Sequence, residues 1–222
     1  MLGNNEKGKK LDDRQLFEEL VRIGMPILQK AKTLLIDFDI EADGIPGMGS
    51  LLQIGAISPF GQTFKAELKP ASELYLPANR AFCEKYNLSR ERLLQEGEDP
   101  AEVMQRFYDW TQQQLRESGK KKAVLVAFNA SFDFPWVDLE FKRAGIKHPF
   151  GVAGFCVKSL AMALTKDYNW ADTAKSRLAP ELSPADEFTH DALEDAIYQQ
   201  KQHAAIVGAL AKRGLLGHLI DV

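Results

Sequence analysis

Three carboxylates at the end of an apolar stretch are the first residues that could do chemistry. Within segment 32–44, every second residue from 34 to 40 is apolar, and the residues between and after them are Leu35, Asp37, Asp39 and Glu41. A period of two predicts a strand with one wholly apolar face and acids at the end of the other. Carboxylates inside a sheet need a cation or several hydrogen-bond donors to offset their desolvation. The stretch therefore predicts a metal site at the carboxyl end of this strand; the alternative is a partly exposed strand end with solvated acids.

A second acidic position follows another apolar stretch. Residues 122–128 predict a buried strand, and the sequence continues with Asn129 and, four residues later, Asp133. Asp133 would lie in or just before the first turn of the next helix, where the helix dipole favours a carboxylate. Considered alone, Asp133 is better explained as a helix-capping residue than as a metal ligand.

The third cluster lies at the start of the last predicted helix. Asp191 could cap this helix with Glu194 as its capping-box partner, which would leave His190 just outside it and Asp195 one turn inside. If residue 190 were helical, the side chains of His190 and Asp195 would point about 140° apart. Sharing one site therefore requires His190 at or before the cap. Without the other clusters, His190 would be read as a surface histidine.

Hydrophobic periodicity and turn signals give the elements that must position these residues. Short connections after the first strand favour three antiparallel strands, and the long helix before residue 122 favours a parallel strand next. The sequence thus predicts an α/β fold with one mixed sheet flanked by helices. The predicted strands are 34–40, 50–58, 60–68, 122–128 and 152–157, and the predicted helical segments are 11–29, 80–86, 90–95, 101–117, a segment ending at 145, and 192–213.

Length and composition limit the classes of protein. The 222 residues suit a polar lead-in and N-terminal helix over 1–30, a single domain over 31–214 and a tail over 215–222. The net charge of −3 argues against a protein that coats nucleic acid by bulk charge. We interpret Cys83 and Cys156 as reduced, buried thiols and Lys120 to Lys122 as a solvated loop. No membrane is expected, and the cytoplasm is the expected compartment.

Taken together, the three clusters resemble the signature motifs of the DEDD exonucleases of the histidine type. This DEDDh family includes ribonuclease T, oligoribonuclease and the proofreading subunit of bacterial replicative polymerase. Each motif alone is weak, but the ordered set with suitable elements between its members is specific. The matched positions are Asp39, Glu41 and Gly44 in the first motif, Asn129 and Asp133 in the second, and His190, Ala192 and Asp195 in the third.

The resemblance implies a ribonuclease H-like fold and a metal-dependent 3′-5′ exonuclease that releases nucleoside monophosphates. Two Mg²⁺ or Mn²⁺ ions would clamp the scissile phosphate, and a neutral histidine would accept the proton of the attacking water. The implied partner is single-stranded nucleic acid with a free 3′ end. The implied metal ligands are Asp39, Glu41, Asp133 and Asp195, the general base is His190, and the substrate-binding residues are Ala42, Gly44, Asn129 and Phe132.

Two positions depart from the family pattern. Asp37 stands where the family has an apolar residue, and Ala42 replaces the usual threonine. A ligand pair of Asp37 and Asp39 is rejected because the glycine spacing would then fail. A catalytically silent module that binds nucleic acid or protein stays open as the alternative function. The sequence leaves open the choice between RNA and DNA, and whether the chain forms a homodimer.

Overall fold

The computed structural model describes residues 11–171, 173–186 and 188–216. Its centre is a five-stranded sheet with the strand order β3-β2-β1-β4-β5. The first three strands are antiparallel, whereas β4 runs parallel to β1 and β5 parallel to β4. The predicted mixed sheet is therefore confirmed. The strands are β1 (Leu34–Ala42), β2 (Leu51–Ile57), β3 (Thr63–Glu67), β4 (Ala123–Ala127) and β5 (Phe155–Cys156).

Helices cover both faces of the sheet. Three short 3-10 turns, Pro77–Asn79, Lys175–Arg177 and Pro180–Leu182, lie in the connections. The predicted helices are present, with ends that differ by one or two residues. The helices of the described chain are α1 (Asp13–Lys30), α2 (Arg80–Lys85), α3 (Arg90–Glu96), α4 (Pro100–Ser118), α5 (Ala130–Arg143), α6 (Val157–Thr165) and α7 (Ala192–Lys212).

Two hydrophobic cores lie on opposite sides of the sheet. On one side, apolar residues of β1 such as Ile36 and Phe38 pack against Phe107 of α4 and Trp136 of α5, and all four are fully buried. On the other side, α1, α6 and α7 pack together over β4. Because α7 covers the face of β1 that carries the acids, it can bring a third set of side chains to them.

The N-terminal helix is an integral part of the second core. Asp12 and Gln15 form a capping box at its start, and the α1 residue Leu20 is fully buried. A Cβ on Gly24 would lie 1.8 Å from the carbonyl oxygen of Ala204 in α7, so only glycine lets the two backbones approach this closely. The helix predicted over 11–29 therefore packs against α7 as part of this core.

Three expectations need correction. The strand predicted over 152–157 is only Phe155–Cys156, because the preceding residues form turns instead of continuing the ladder. Cys156 is consequently half-buried, although Cys83 is buried as predicted and both thiols are free. Lys120 is partly buried: its ammonium donates to the carbonyls of Gln29, at 2.8 Å, and Ala31, and so satisfies the carboxyl end of α1, whereas Lys121 and Lys122 are exposed as predicted.

The domain limits 1–30, 31–214 and 215–222 stay predictions, since residues 1–10 and 217–222 lie outside the described residues. Among the helices of the described ranges, none is both long enough and apolar enough to cross a membrane.

Candidate active site

The first two candidate ligands lie at the end of β1. Asp39 and Glu41 are both 7% exposed and share the strand face that α7 covers. The parallel pairing of β1 with β4 ends at Asp37 and Val126, so the two strands part just before Asp39. A cleft opens at this point, as it does where neighbouring strands of an open α/β sheet diverge.

Asp37 precedes this pair on the same face but belongs to a separate contact. Its carboxylate lies 3.3 Å from Nδ1 of His203 in α7 and accepts a hydrogen bond of 3.3 Å from Nε2 of Gln199. Asp37 and His203 are each only 1% exposed. The histidine and glutamine thus supply the polar partners that a buried carboxylate needs.

The strand-to-helix turn after β4 positions Asp133. Asn129 is the N-cap residue of α5, although its side chain makes no capping hydrogen bond. Asp133 is the fourth residue of the helix and is 5% exposed. Asp133 is therefore not the capping residue of this helix. Its carboxyl lies close enough to Asp39 and to the backbone of Ile40 in β1 for both to influence its pKa. The second motif therefore lies beside the first, and both line one cavity.

The start of α7 brings in the third motif. Asp191 is the N-cap residue and accepts hydrogen bonds from the N–H groups of Leu193, at 3.1 Å, and Glu194, at 3.3 Å. His190 therefore lies outside the helix, as the shared site requires, and has a φ of 58°. Asp195 holds this backbone, since its carboxylate accepts from the N–H groups of Thr189 at 3.1 Å and His190 at 3.0 Å.

The imidazole of His190 is directed toward the acids by an aromatic enclosure. Its ring lies 4.4–4.9 Å, centroid to centroid, from those of Phe82, Tyr86 and Phe188. Nδ1 lies 3.8 Å from Oε1 of Glu41. One ligand atom each from Glu41, His190 and Asp195 lies within 4.8 Å of the others. The first and third motifs therefore converge on one point.

Burial and mutual repulsion disfavour the ionised forms of Glu41, Asp133 and Asp195 in the absence of a metal. Burial, and then the charges of Asp39 and Asp195, raise the pKa of Glu41 to about 9. Burial and Asp39 raise the pKa of Asp195 to about 6 and the pKa of Asp133 well above its ordinary value. Such a cluster gains stability when a cation enters it.

Lys175 is a member of this site that sequence reasoning missed. Its ammonium group contacts Oδ1 of Asp39 and lies 4.9 Å from the ring centroid of Phe188. Burial opposes the charge of Lys175, but the carboxylates of Asp39 and Asp133 outweigh burial and raise the pKa of the amine. Lys175 lies in a loop with no periodic pattern, 136 residues beyond Asp39, so no local signal indicated it.

A cavity of about 430 Å³ opens in front of the acids. Three of the four predicted substrate-binding residues, Ala42, Asn129 and Phe132, line this cavity, and Phe132 is 41% exposed. Gly44 is not among the lining residues; a Cβ there would lie 2.0 Å from the carbonyl oxygen of Met48, so the adjoining turn requires its glycine. The complete lining is Asp39, Ile40, Glu41, Ala42, Asn79, Phe82, Phe128, Asn129, Phe132, Asp133, Lys175, Phe188 and His190.

The donor set fits hard divalent cations. Four carboxylates supply oxygen ligands, which Mg²⁺ and Mn²⁺ prefer, and an open cavity leaves space for water and phosphate oxygens. The lysine ammonium on Asp39 shows that this point of the cluster accommodates a positive charge. The residues present therefore fit a metal-dependent reaction.

Comparison with solved structures gives the same fold. The nuclease domain of 3′hExo, a DEDDh family member whose structure was determined bound to rAMP, superposes with a TM-score of 0.61 at 16% identity over 82% of this chain and 93% of that chain. The Pop2p protein of S. pombe, in its Mg²⁺- and Mn²⁺-bound form, superposes with a TM-score of 0.52 at 14% identity over 91% of each chain. The ribonuclease H-like sheet expected from the motifs is therefore confirmed.

Sequence comparison identifies the family. The 3′-5′ DNA exonuclease Cap18 of Escherichia coli is 36% identical over 171 residues, which cover 76% of this chain and 88% of that protein. Residues 34–207 match the model of the Rv2179c-like 3′-5′ exoribonuclease domain. That range contains all three motifs. The chain therefore belongs to the Rv2179c-like family, and its activity is that of a 3′-5′ exonuclease.

Proposed function

We propose that this protein removes nucleoside monophosphates one at a time from the free 3′ end of single-stranded nucleic acid. The observation that carries the proposal is an open cavity lined by the buried carboxylates of Asp39, Glu41 and Asp133 and by His190. The carboxylate of Asp195 joins them, with a ligand atom within 4.8 Å of those of Glu41 and His190. Asp39, Glu41, Asp133 and Asp195 are the residues that would hold two divalent ions. When bound, these ions would clamp the scissile phosphate and stabilise the attacking and leaving oxygens.

His190 is the proposed general base. Burial is the main influence on the pKa of its imidazole and lowers it. Nearby charges act in both directions: Asp39 raises this pKa, whereas Lys85 and Lys175 lower it. The ring is therefore neutral near pH 7 and can accept the proton of the attacking water. The Asp195 carboxylate fixes the backbone of His190, and the surrounding aromatic rings restrict the imidazole to the side of the cavity that carries Glu41. Both contacts reduce the reorganisation that proton transfer requires.

The shape of the cavity supports a preference for the end of a nucleic-acid strand. Its opening carries the exposed ring of Phe132 and the polar side chains of Asn79 and Asn129, which suit one unstacked base and its sugar. The net charge of −3 provides no bulk attraction for a long duplex. An end that can be inserted into the cavity is therefore the expected substrate.

The choice between ribose and deoxyribose is the open part of the proposal. The matched domain family is described as exoribonucleases, whereas the relative from Escherichia coli is a DNA exonuclease. The test uses two oligonucleotides of one sequence, one of RNA and one of DNA, each labelled at the 5′ end and incubated with Mg²⁺. We expect a ladder that shortens from the 3′ end, with mononucleotides as products, on at least one substrate. The ratio of kcat/KM values assigns the sugar.

Two controls make this experiment decisive. Chelation of divalent ions should abolish the ladder, and Asp133→Asn should give the same result with metal present, because it removes a carboxylate from the cluster. Binding of both oligonucleotides without release of mononucleotides by the wild-type protein would overturn the proposal in favour of a silent binding module.

A further inference from the structure

We infer that Lys175 is an internal cation that occupies part of the metal site in the metal-free protein and must leave when divalent ions bind. The inference deepens the proposed function, since it rests on Asp39 being a metal ligand. Lys175 would therefore lower the affinity of the enzyme for its own metal ions and would hold the carboxylate cluster folded while they are absent.

The backbone of Lys175 is fixed in place by α7. The side-chain amide of Gln202, which is fully buried, donates a hydrogen bond of 2.8 Å to the carbonyl oxygen of Lys175 and another of 3.2 Å to Oγ of Ser183. The N–H of Arg177 closes a turn onto the carbonyl of Ala174 at 2.9 Å. The lysine is thus presented to the site from an anchored turn, and its long side chain supplies the only movement that an exchange of cations needs.

The ammonium group is held by two contacts that both require its charge. One is the ion pair with Oδ1 of Asp39, in which the lysine side chain is 14% exposed and the aspartate side chain 10%. The other is the Phe188 ring, whose centroid lies 4.9 Å from Nζ. A neutral side chain of equal length would keep neither interaction. The site therefore selects a cation at this point.

An ammonium group and a divalent ion bound to the same carboxylate oxygen repel each other and compete for it. Mg²⁺ binds carboxylate oxygens at about 2.0–2.1 Å, and two cations at such separations repel strongly in a partly buried site. We therefore expect metal that binds through Oδ1 of Asp39 to displace the ammonium group of Lys175. The free energy of that contact is subtracted from the free energy of metal binding, by the rule that a ligand competes with whatever occupies its site.

The test measures the binding of Mn²⁺ alone, by calorimetry, to the 222-residue protein without nucleic acid. Lys175→Met keeps the length of the side chain and removes its charge. We expect Mn²⁺ to bind this variant about 10- to 100-fold more tightly, the range that one charge-assisted hydrogen bond represents. The metal-free variant should also melt at a lower temperature, because its acids lose their cation, and Mn²⁺ should raise its melting temperature by more than it raises that of the wild type.

Two further variants keep the result interpretable. Lys142→Met removes the same charge from an exposed ion pair with Asp138 and should leave Mn²⁺ affinity unchanged. Phe188→Leu leaves the lysine in place but removes the ring beneath it, and should tighten Mn²⁺ binding about two- to fivefold. This variant also replaces Lys175→Met as the test if the latter fails to fold.

Unchanged or weaker Mn²⁺ affinity in Lys175→Met would overturn the inference. If Lys175→Met does not fold, the same result in Phe188→Leu would overturn it. Absence of Mn²⁺ binding in wild type and variants alike would overturn it too. Because the titration contains no nucleic acid, its outcome is distinguishable from that of the exonuclease assay. Lys175→Met could bind Mn²⁺ more tightly although no mononucleotides are released, and mononucleotides could be released although Lys175→Met binds Mn²⁺ no more tightly.

Discussion

At the scale of single residues, the catalytic role proposed for His190 can be tested separately from the capping role of its neighbour Asp191. His190→Ala should lower kcat by roughly 10²- to 10⁴-fold while Mn²⁺ and oligonucleotide still bind, because only the proton acceptor is removed. The pKa of His190 lies below its ordinary value, so the wild-type rate should fall only when the pH drops below the ordinary range of histidine. That acid limb should disappear in the variant. Rate profiles against pH at saturating metal give the measurement.

Asp191→Asn is the matched control for this prediction. The amide oxygen can still accept the capping hydrogen bonds of α7, and only the exposed ion pair with Lys65 is lost. We expect a cost of at most about 1 kcal/mol in stability and little change in rate. An active His190→Ala together with an inactive Asp191→Asn would show that the roles assigned at the start of α7 are wrong.

Asp133 yields a prediction about stability. Its pKa is raised in the folded protein, mainly by burial and then by Asp39, so the folded state disfavours the ionised form. The penalty is absent below the unfolded pKa and grows as the pH rises toward the folded pKa. In chelator, Asp133→Asn should therefore raise the melting temperature at pH 8 and change it little at pH 4, although the variant is inactive.

Asp138 on the same helix provides a control of opposite sign. Its pKa is lowered, first by the hydrogen bond from Lys142, so its ionised form is favoured in the folded state. Asp138→Asn should lower the melting temperature at pH 8, and the difference from wild type should diminish as the pH falls. Parallel shifts in the two variants would contradict the assignment of Asp133 as a destabilising buried acid.

The residue types of the site could be predicted from the sequence because each motif is local. Asp39 and Glu41 share a face through strand alternation, and the capping preference of Asp191 fixed the position of His190 outside α7. Lys175 could not be found in this way, because its place depends on a loop that long-range contacts anchor. The partners of Asp37 were hidden for a similar reason: they lie on a helix 162 to 166 residues away.

At the scale of elements, Gln199 holds the parting strands of the cleft. Its amide donates to the carbonyl of Val126 at 2.9 Å and accepts from the N–H of Phe128 at 2.6 Å, while Nε2 also lies 3.4 Å from the carbonyl oxygen of Phe38. These groups lie where the ladder between β1 and β4 has ended. One side chain of α7 thus replaces the missing ladder bonds and fixes the spacing between the first and second motifs.

Gln199→Leu should lower the free energy of unfolding by about 2–4 kcal/mol, because it leaves buried backbone groups without partners. It should also weaken Mn²⁺ binding, since the strand ends would lose their common support. Gln200→Leu is the control, as its amide donates to the carbonyl of Ser58 at 3.0 Å, at the end of β2, which lies on the far side of β1 from β4. Chemical denaturation and calorimetry measure the two effects, and equal loss of metal affinity in both variants would contradict this role for Gln199.

At the scale of the whole molecule, the order of strands could be predicted because connection length decides direction. Short turns made β1, β2 and β3 antiparallel, and the insertion of α4 made β4 parallel to β1. The length of β5 could not be predicted, since its two residues depend on pairing with β4 and carry little pattern of their own. The close contact of α1 with α7 at Gly24 was equally invisible, because a glycine within a helix has many explanations.

The central claim is that this arrangement processes nucleic acid from a free 3′ end with the carboxylate cluster as its catalytic centre. The most direct measurement compares one labelled single strand in two forms, linear and covalently closed into a circle, of the sugar type that the protein digests, in Mg²⁺. We predict progressive shortening of the linear strand from its 3′ end, release of mononucleotides, and an intact circle. Cleavage of the circle, or shortening of the linear strand from its 5′ end, would contradict the account.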